Sequence, residues 1–189
     1  MIFEEDIKES VNTLRKGGVL LYPTDTIWGL GCDPTNETAI NKIFRIKERG
    51  EGKSLIILAD SLQMVERYVT GIPEIVYELA EVSETPLTII YPYGKSLAPG
   101  VCSNDGSIAI RICLDEFCLE LISRFRKPIV STSANFSGSP SPGNFTEIEQ
   151  GILDKADYVV KYRQDDRGIS KASPVIKVNS DGTIKIIRM

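Results

Sequence analysis

Strand-like and helix-like apolar patterns alternate from one end of this chain to the other, and that alternation limits the fold more than any other feature. Ile7, Val11 and Leu14 recur at helical spacing over residues 6–16 and stop at Gly17-Gly18. Val19-Leu20-Leu21-Tyr22 then forms a short apolar run before Pro23, as a buried strand does. Ile40, Ile43, Phe44 and Lys47 follow helical spacing over 37–48, with Asn36 as N-cap and Gly50 and Gly52 as the stop. Further strands are expected at 55–58, 88–91, 108–112 and 128–130, and helices at 61–69, 73–81, 115–126 and near 145–155. Strands at 157–161, 174–178 and 183–188 close the chain, the last two joined by Asp181-Gly182, a hairpin signal. Strand–helix crossovers beside a terminal hairpin imply an α/β fold with a mixed sheet. One domain over residues 1–189 is expected, because the loop at 136–143 is too short to divide it.

Composition then excludes several chemistries. The chain has no histidine, so Ser-His-Asp and Cys-His catalysis and His-ligated zinc are impossible within it. Cys32, Cys102, Cys113 and Cys118 form no C-x-x-C pair and read as reduced thiols of a cytoplasmic protein. The start is acidic and lacks the apolar core of a signal peptide. No apolar run approaches the roughly 20 residues of a membrane span, so no membrane partner is expected. A net charge of −4 disfavours a protein that coats itself in nucleic acid.

Three constellations carry polar chemistry. Lys42, Arg45, Lys47, Arg49 and Lys53 crowd a helix end followed by glycines. The plain reading is a solvated face; the alternative is an anion site, for which phosphate suits the cations. Gly52-Lys53-Ser54 imitates the end of a P-loop but lacks the first glycine and the strand-to-helix order. Gly29-Leu30-Gly31 fails as a dinucleotide fingerprint because Pro34 stands at the third glycine. The second constellation, Pro23-Thr24-Asp25-Thr26-Ile27-Trp28-Gly29-Leu30-Gly31, follows the first strand, where α/β sheets bind ligands. It reads equally as a local turn with Trp28 in the core. The third, Ser131-Thr132-Ser133-Ala134-Asn135, follows a strand and offers small hydrogen-bonding groups for a phosphate, ribose or carboxylate, or else a polar turn. Arg111 shares a strand face with Ser107 and Ala109. Buried there, it needs an anion: either a structural carboxylate such as Asp25 or Asp105, or a ligand.

Together these segments resemble the threonylcarbamoyl-AMP synthase family, the YrdC-like enzymes, in their short single-domain form. The resemblance rests on Pro23–Gly31, Lys47-Glu48-Arg49 and Ser131–Asn135 in that order. Pro86-Leu87-Thr88, Ser107–Arg111, Ser173 and Arg188 support it, so it spans residues 19–188. It departs at Lys53-Ser54, Trp28, Leu58 and the segment before Pro86. The resemblance implies a twisted mixed sheet flanked by helices around a concave basic cavity. It implies a nucleotidyltransferase that condenses L-threonine, bicarbonate and ATP, with Mg²⁺, into threonylcarbamoyl-AMP and pyrophosphate. The product serves N6-threonylcarbamoylation of adenosine 37 in tRNA, with hand-over to a tRNA threonylcarbamoyl transferase complex and weak tRNA contact as further expectations. By position, Lys47 and Arg49 are implied to act on the triphosphate. Arg49, Lys53, Ser107, Ser133, Asn135, Ser141 and Arg188 are implied to contact ATP, and Thr26, Arg111, Ser131 and Ser173 to contact threonine. No dedicated protein metal site is implied. The competing readings are an RNA-binding module using the same cavity, and a paralogue making a different carbamoyl or acyl adenylate.

Overall fold

The computed structural model describes residues 2–48, 55–168 and 171–189. Helix α1 (Ile2–Arg15) buries Ile7, Val11 and Leu14. Gly17 ends it at φ 75°, a left-handed conformation that costs glycine nothing, while the Gly18 N–H bonds back to the Thr13 carbonyl. Strands β1 (Leu20–Tyr22) and β2 (Gly29–Gly31) form an antiparallel pair, Tyr22 opposite Gly29. Helix α2 (Glu37–Ile46) is capped by the Asn36 side chain, which accepts from the Ala39 N–H. Next come β3 (Ile56–Ala59), α3 (Leu62–Tyr68), α4 (Ile75–Val82), β4 (Thr88–Tyr91) and β5 (Ile108–Ile112). Then follow α5 (Glu116–Phe125), β6 (Ile129–Ser133), a single 3₁₀ turn (Phe145–Glu147) and the short α6 (Gln150–Leu153). Strands β7 (Tyr158–Val159), β8 (Val175–Val178) and β9 (Ile184–Arg188) complete the chain.

Among the described residues the strands make one nine-stranded sheet in the order β7-β1-β2-β6-β3-β5-β4-β8-β9. β7–β1, β3–β5 and β4–β8 run parallel and the other neighbours antiparallel, which is the mixed sheet the alternation implied. The terminal hairpin turns at Gly182, whose N–H donates to the Asn179 carbonyl. Helices α1 and α5 pack together and on the sheet, joined by Phe3 and Phe117 in an edge-to-face contact at 5.6 Å. Asp6, 1% exposed, accepts from the Tyr158 hydroxyl and from the N–H groups of Lys161 and Tyr162, fixing the chain leaving β7 to α1.

Several elements differ from the sequence pattern. Helix α2 ends at Ile46, and Glu48 takes the left-handed turn after it at φ 52°. Gly50 and Gly52, expected as its stop, lie outside the described residues. The helix expected near 145–155 is split into the 3₁₀ turn and α6, with Ile148 extended between them. Ser131–Ser133, read as a loop, continue β6. The most consequential difference is β2, which the sequence pattern did not predict.

A strand forms at Gly29-Leu30-Gly31 because its glycines let another side chain in. A Cβ on Gly31 would sit 2.5 Å from Tyr22 Cε1 and 2.6 Å from the Val130 carbonyl oxygen. The Tyr22 ring therefore lies across β2, and its hydroxyl donates to the Val130 carbonyl at 3.0 Å. This contact binds β1 to β6 over the strand between them. Gly31→Ala is expected to destabilise the fold by about 1–3 kcal/mol through overpacking against backbone. A lowered midpoint in urea at unchanged slope checks it.

Candidate active site

Register brings the polar residues of distant segments onto one sheet face. Leu58, Arg111 and Thr88 are cross-strand partners on β3, β5 and β4; Ser131 faces Ile56, and Ser133 faces Gly29. Partners in register share a face. Above this face lies a cavity of about 170 Å³ lined by Thr26, Arg111, Ser131, Ser133, Ser173 and Arg188, together with Ser141 and apolar neighbours. The structure thus gathers the four residues implied for threonine with three of those implied for ATP.

Arg111 is the buried charge of the site, its side chain 4% exposed. Its Nη1 donates to Ser173 Oγ at 3.3 Å and its Nη2 to Thr24 Oγ1 at 3.4 Å. Asp25 Oδ1 lies 2.9 Å from Nη2 with its side chain 6% exposed. The two are close but not lined up as a hydrogen bond, and both Asp25 Oδ1 and Arg111 Nε are left without a hydrogen-bond partner. Of the two structural carboxylates considered from sequence, Asp25 is the one Arg111 meets. Asp105 instead accepts from Ser107 and pairs with Lys177 at 3.2 Å. The hydroxyl and the backbone N–H of Ser107, both donating to Asp105 Oδ1, hold its carboxyl down at about 2.

Ser173 is tied from three sides. Its hydroxyl shares a 2.7 Å hydrogen bond with Thr88 Oγ1 and accepts from Arg111. Its carbonyl accepts from both Nε and Nη2 of Arg188, at 3.1 and 2.7 Å. Arg188 therefore reaches back from the last strand to fix the segment that enters β8. Thr26 is held by a local turn in which Thr24 Oγ1 accepts from the Thr26 N–H and donates to the Ile27 carbonyl. Trp28 packs in the core at 6% exposure, with its ring 4.9 Å from Phe145. Within the Pro23–Gly31 segment, Trp28 is thus buried in the core while Thr26 lines the cavity.

The described members of the basic cluster, Lys42, Arg45 and Lys47, turn to different partners. Lys42 pairs with Asp157, and Arg45 Nε donates to the Asn41 carbonyl on its own helix. Lys47 turns inward, 3% exposed, and its Nζ donates to the carbonyls of Ser133 and Asn135. Arg49 and Lys53 lie outside the described residues. Ser107 and Asn135 do not line the cavity. The Ser107 hydroxyl donates to Asp105, and Asn135 Nδ2 donates to the Phe136 and Ser139 carbonyls. Lys47 and Asn135 together brace the turn after β6.

Sequence reasoning left Thr24, Asp25 and Thr88 out of the candidate set. Thr24 and Asp25 stood inside a motif already singled out, and Thr88 was legible as the cross-strand partner of Arg111 only once the register was known. A second cavity of about 200 Å³ adjoins the first through Thr26 and Ile27, and Asp25, Asn144, Arg163 and Asp166 are among its walls.

Comparison with known proteins places this geometry. The Sua5/YciO/YrdC family model, described as "Telomere recombination", matches residues 12–189. A threonylcarbamoyl-AMP synthase of Stenotrophomonas maltophilia is 33% identical over 91% of this chain and 93% of its own length. One from Vibrio parahaemolyticus is 34% identical over 80% and 83%. The chain belongs to the Sua5/YciO/YrdC family. A P. abyssi Sua5 structure complexed with L-threonine superposes with a TM-score of 0.78 at 30% identity, covering 90% of this chain. Only 50% of that Sua5 chain is matched, so this chain spans about half the length of that relative. E. coli YciO, 23% identical with a TM-score of 0.82 over 96% of this chain, shares the fold. No described helix is long and apolar enough to cross a membrane.

The thiols stand apart from this chemistry. Cys32, Cys113 and Cys118 are buried. Burial pushes the Cys32 thiol far above its ordinary range. Contact with Cys113, followed by burial, does the same to Cys118. Thiols held protonated and covered do not react. Iodoacetamide under native conditions is expected to leave activity unchanged, with any labelling confined to half-buried Cys102. Activity lost in step with labelling of Cys32, checked by peptide mass analysis, would contradict this.

Proposed function

We propose that this chain is a threonylcarbamoyl-AMP synthase, joining L-threonine, bicarbonate and ATP into threonylcarbamoyl-AMP and pyrophosphate. The observation that carries the reading is the cavity in which Arg111, Thr26, Ser131 and Ser173 meet Ser133, Ser141 and Arg188. A site for an amino acid and a site for a nucleotide would then be one concavity, as a condensation between them requires. The reaction is a nucleotidyl transfer: the carbamate oxygen attacks the α-phosphate, and pyrophosphate leaves.

Both nucleophiles in this scheme come from the substrates, so a chain without histidine can perform it. What the protein supplies is position and charge. Arg111 forks the threonine carboxylate with two parallel N–H groups. The hydroxyls of Ser131, Ser173 and Thr26 can donate to or accept from the remaining polar atoms of the amino acid. Lys47, at the end of α2, brings positive charge to the turn after β6, and Arg49 and Lys53 from the following segment add to it at the triphosphate. Mg²⁺ arrives on ATP as part of the substrate, held by phosphates and water. The reading carries with it a cytoplasmic location and delivery of the product to a tRNA-modifying partner.

Pyrophosphate release with each substrate omitted in turn tests the function. Release is expected only when threonine, bicarbonate and ATP are all present. Release that ignores threonine or bicarbonate, or an RNA complex with no release at all, would overturn the reading. Arg111→Lys separates the two substrates, because lysine keeps the charge and loses the fork. The threonine KM is expected to rise on the order of 10–100-fold, the worth of one to two charge-assisted hydrogen bonds. The ATP KM is expected to stay within about twofold. Equal weakening of both, or a large fall in Tm, would assign Arg111 a structural role alone.

A further inference from the structure

We propose that Asp25 is the proton acceptor for the amine of the bound amino acid, an inference that rests on the synthase reading above. Threonine reaches an enzyme at neutral pH as a zwitterion, and its ammonium has no lone pair with which to attack carbon. A proton must leave before the carbamate forms. The chain has no histidine to take it. No carboxylate is among the described residues lining the cavity that holds Arg111. Asp25 stands just behind it, with Oδ1 2.9 Å from Arg111 Nη2.

Three observations single out this carboxylate. Its side chain is 6% exposed, yet Oδ1 accepts no hydrogen bond, so a buried acceptor stands ready beside the guanidinium. Its Oδ2 is held by the Leu114 N–H at 3.3 Å, which steadies the group while Oδ1 stays available. It also lines the second cavity, so a proton received from the substrate side has an outlet. An α-amino acid carries its ammonium one carbon from its carboxylate. Seating that carboxylate on Arg111 brings the ammonium beside Oδ1.

Binding also exchanges the partner of Asp25. In the free enzyme Asp25 is the counter-charge of Arg111, with Oδ1 beside Nη2. A substrate carboxylate that takes over Arg111 frees Asp25 Oδ1 from the guanidinium as the ammonium arrives. The other groups that face Asp25 are Cys118 of α5, which its environment keeps protonated, and Arg163 and Asp166 across the second cavity. The step balances as carboxylate plus ammonium plus bicarbonate giving carboxylic acid, carbamate and water. The N–C bond forms and the C–OH bond of bicarbonate breaks. Of the three ammonium protons one goes to Asp25, one leaves with the hydroxide as water, and one stays on nitrogen.

The test compares two directions of the reaction in Asp25→Asn. Forward synthesis from threonine, bicarbonate and ATP needs the deprotonation. Reverse formation of ATP from threonylcarbamoyl-AMP and pyrophosphate breaks the carbamoyl–phosphate bond and does not. Forward kcat is expected to fall at least about 100-fold, the usual worth of a general base, while the reverse rate falls less than about threefold. The forward deficit is expected to shrink about tenfold per pH unit as solution deprotonates more of the amine. Asp25→Glu, which keeps the charge beside Arg111 while displacing the oxygen, is expected to show the same split with a forward loss near tenfold. This second variant covers the case in which Asp25→Asn does not fold, judged by its Tm. Forward and reverse rates falling together in a folded variant, or an unchanged forward rate, would overturn the proposal. A wild-type chain that makes no threonylcarbamoyl-AMP would overturn the synthase reading first and this inference with it.

Discussion

A guanidinium in the middle of a sheet must be answered by its surroundings, and much of this site can be understood as the answer to Arg111. Strand β5 has β3 on one side and β4 on the other, so the backbone of Arg111 cannot shift to carry its charge to bulk water. A buried cation without partners costs several kcal/mol. Asp25 comes from the segment after β1, and Ser173 from the segment before β8. Asp25 lies 86 residues before Arg111 (111 − 25) and Ser173 lies 62 residues after it, and the need to satisfy one charge draws both to the same spot. Thr88 and Arg188 then fix Ser173 in turn, through its hydroxyl and its carbonyl. The polar layer of the site is therefore a connected set, in which moving one member leaves another unsatisfied.

Lys47 does the corresponding work at the turn after β6. It leaves α2 just past the last helical residue, where the chain can bend its side chain inward. Its ammonium donates to the Ser133 and Asn135 carbonyls, while its own carbonyl accepts from the Ser137 N–H. Side chain and backbone thus grip the same turn from one residue. Tyr22 performs a related task on the neighbouring strands, crossing the glycines of β2 to reach Val130. Bulk at Gly31 would keep β1 and β6 from sharing that ring. Neither residue lines the cavity, yet together they bond to the strand and turn that carry its serines.

What the sequence made legible follows from the range of each interaction. The alternation of Ser107, Ala109 and Arg111 against two isoleucines placed Arg111 on a face and required an anion for it, because a strand's period is local. The caps and turns were equally readable, Asn36 and Asp181-Gly182 among them, since their bonds span a few residues. Strand β2 was not, because two glycines in three residues carry the signature of a turn. The Tyr22 ring and β6 explain them, crowding Gly31 and Gly29 from the far side, and the Tyr22 partner Val130 lies 108 residues away. Lys47 read as one more cation of a basic run. Its partners are 86 and 88 residues distant, so no local pattern could turn it inward. The split between α6 and the 3₁₀ turn was hidden for a simpler reason: a segment this short has too few apolar positions to set a period.

The same connectedness bears on how a cavity of hydroxyls can serve a reaction whose charges move. A threonine zwitterion, a carbamate and a mixed anhydride present different charges to the same walls. Cations fixed at every position would hold the carboxylate of the substrate and the anionic intermediate alike, and uniform binding of that kind does not raise kcat. Here the charge of Arg111 is partly met by Asp25 before any ligand arrives, and Arg188 is engaged with a backbone carbonyl. The serine and threonine hydroxyls beside them can reverse the sense of their hydrogen bonds by rotating one torsion. Such a lining follows a change of charge without moving the backbone. The fixed charges then fall on the partners that must be oriented, and the adaptable groups on the atoms that change.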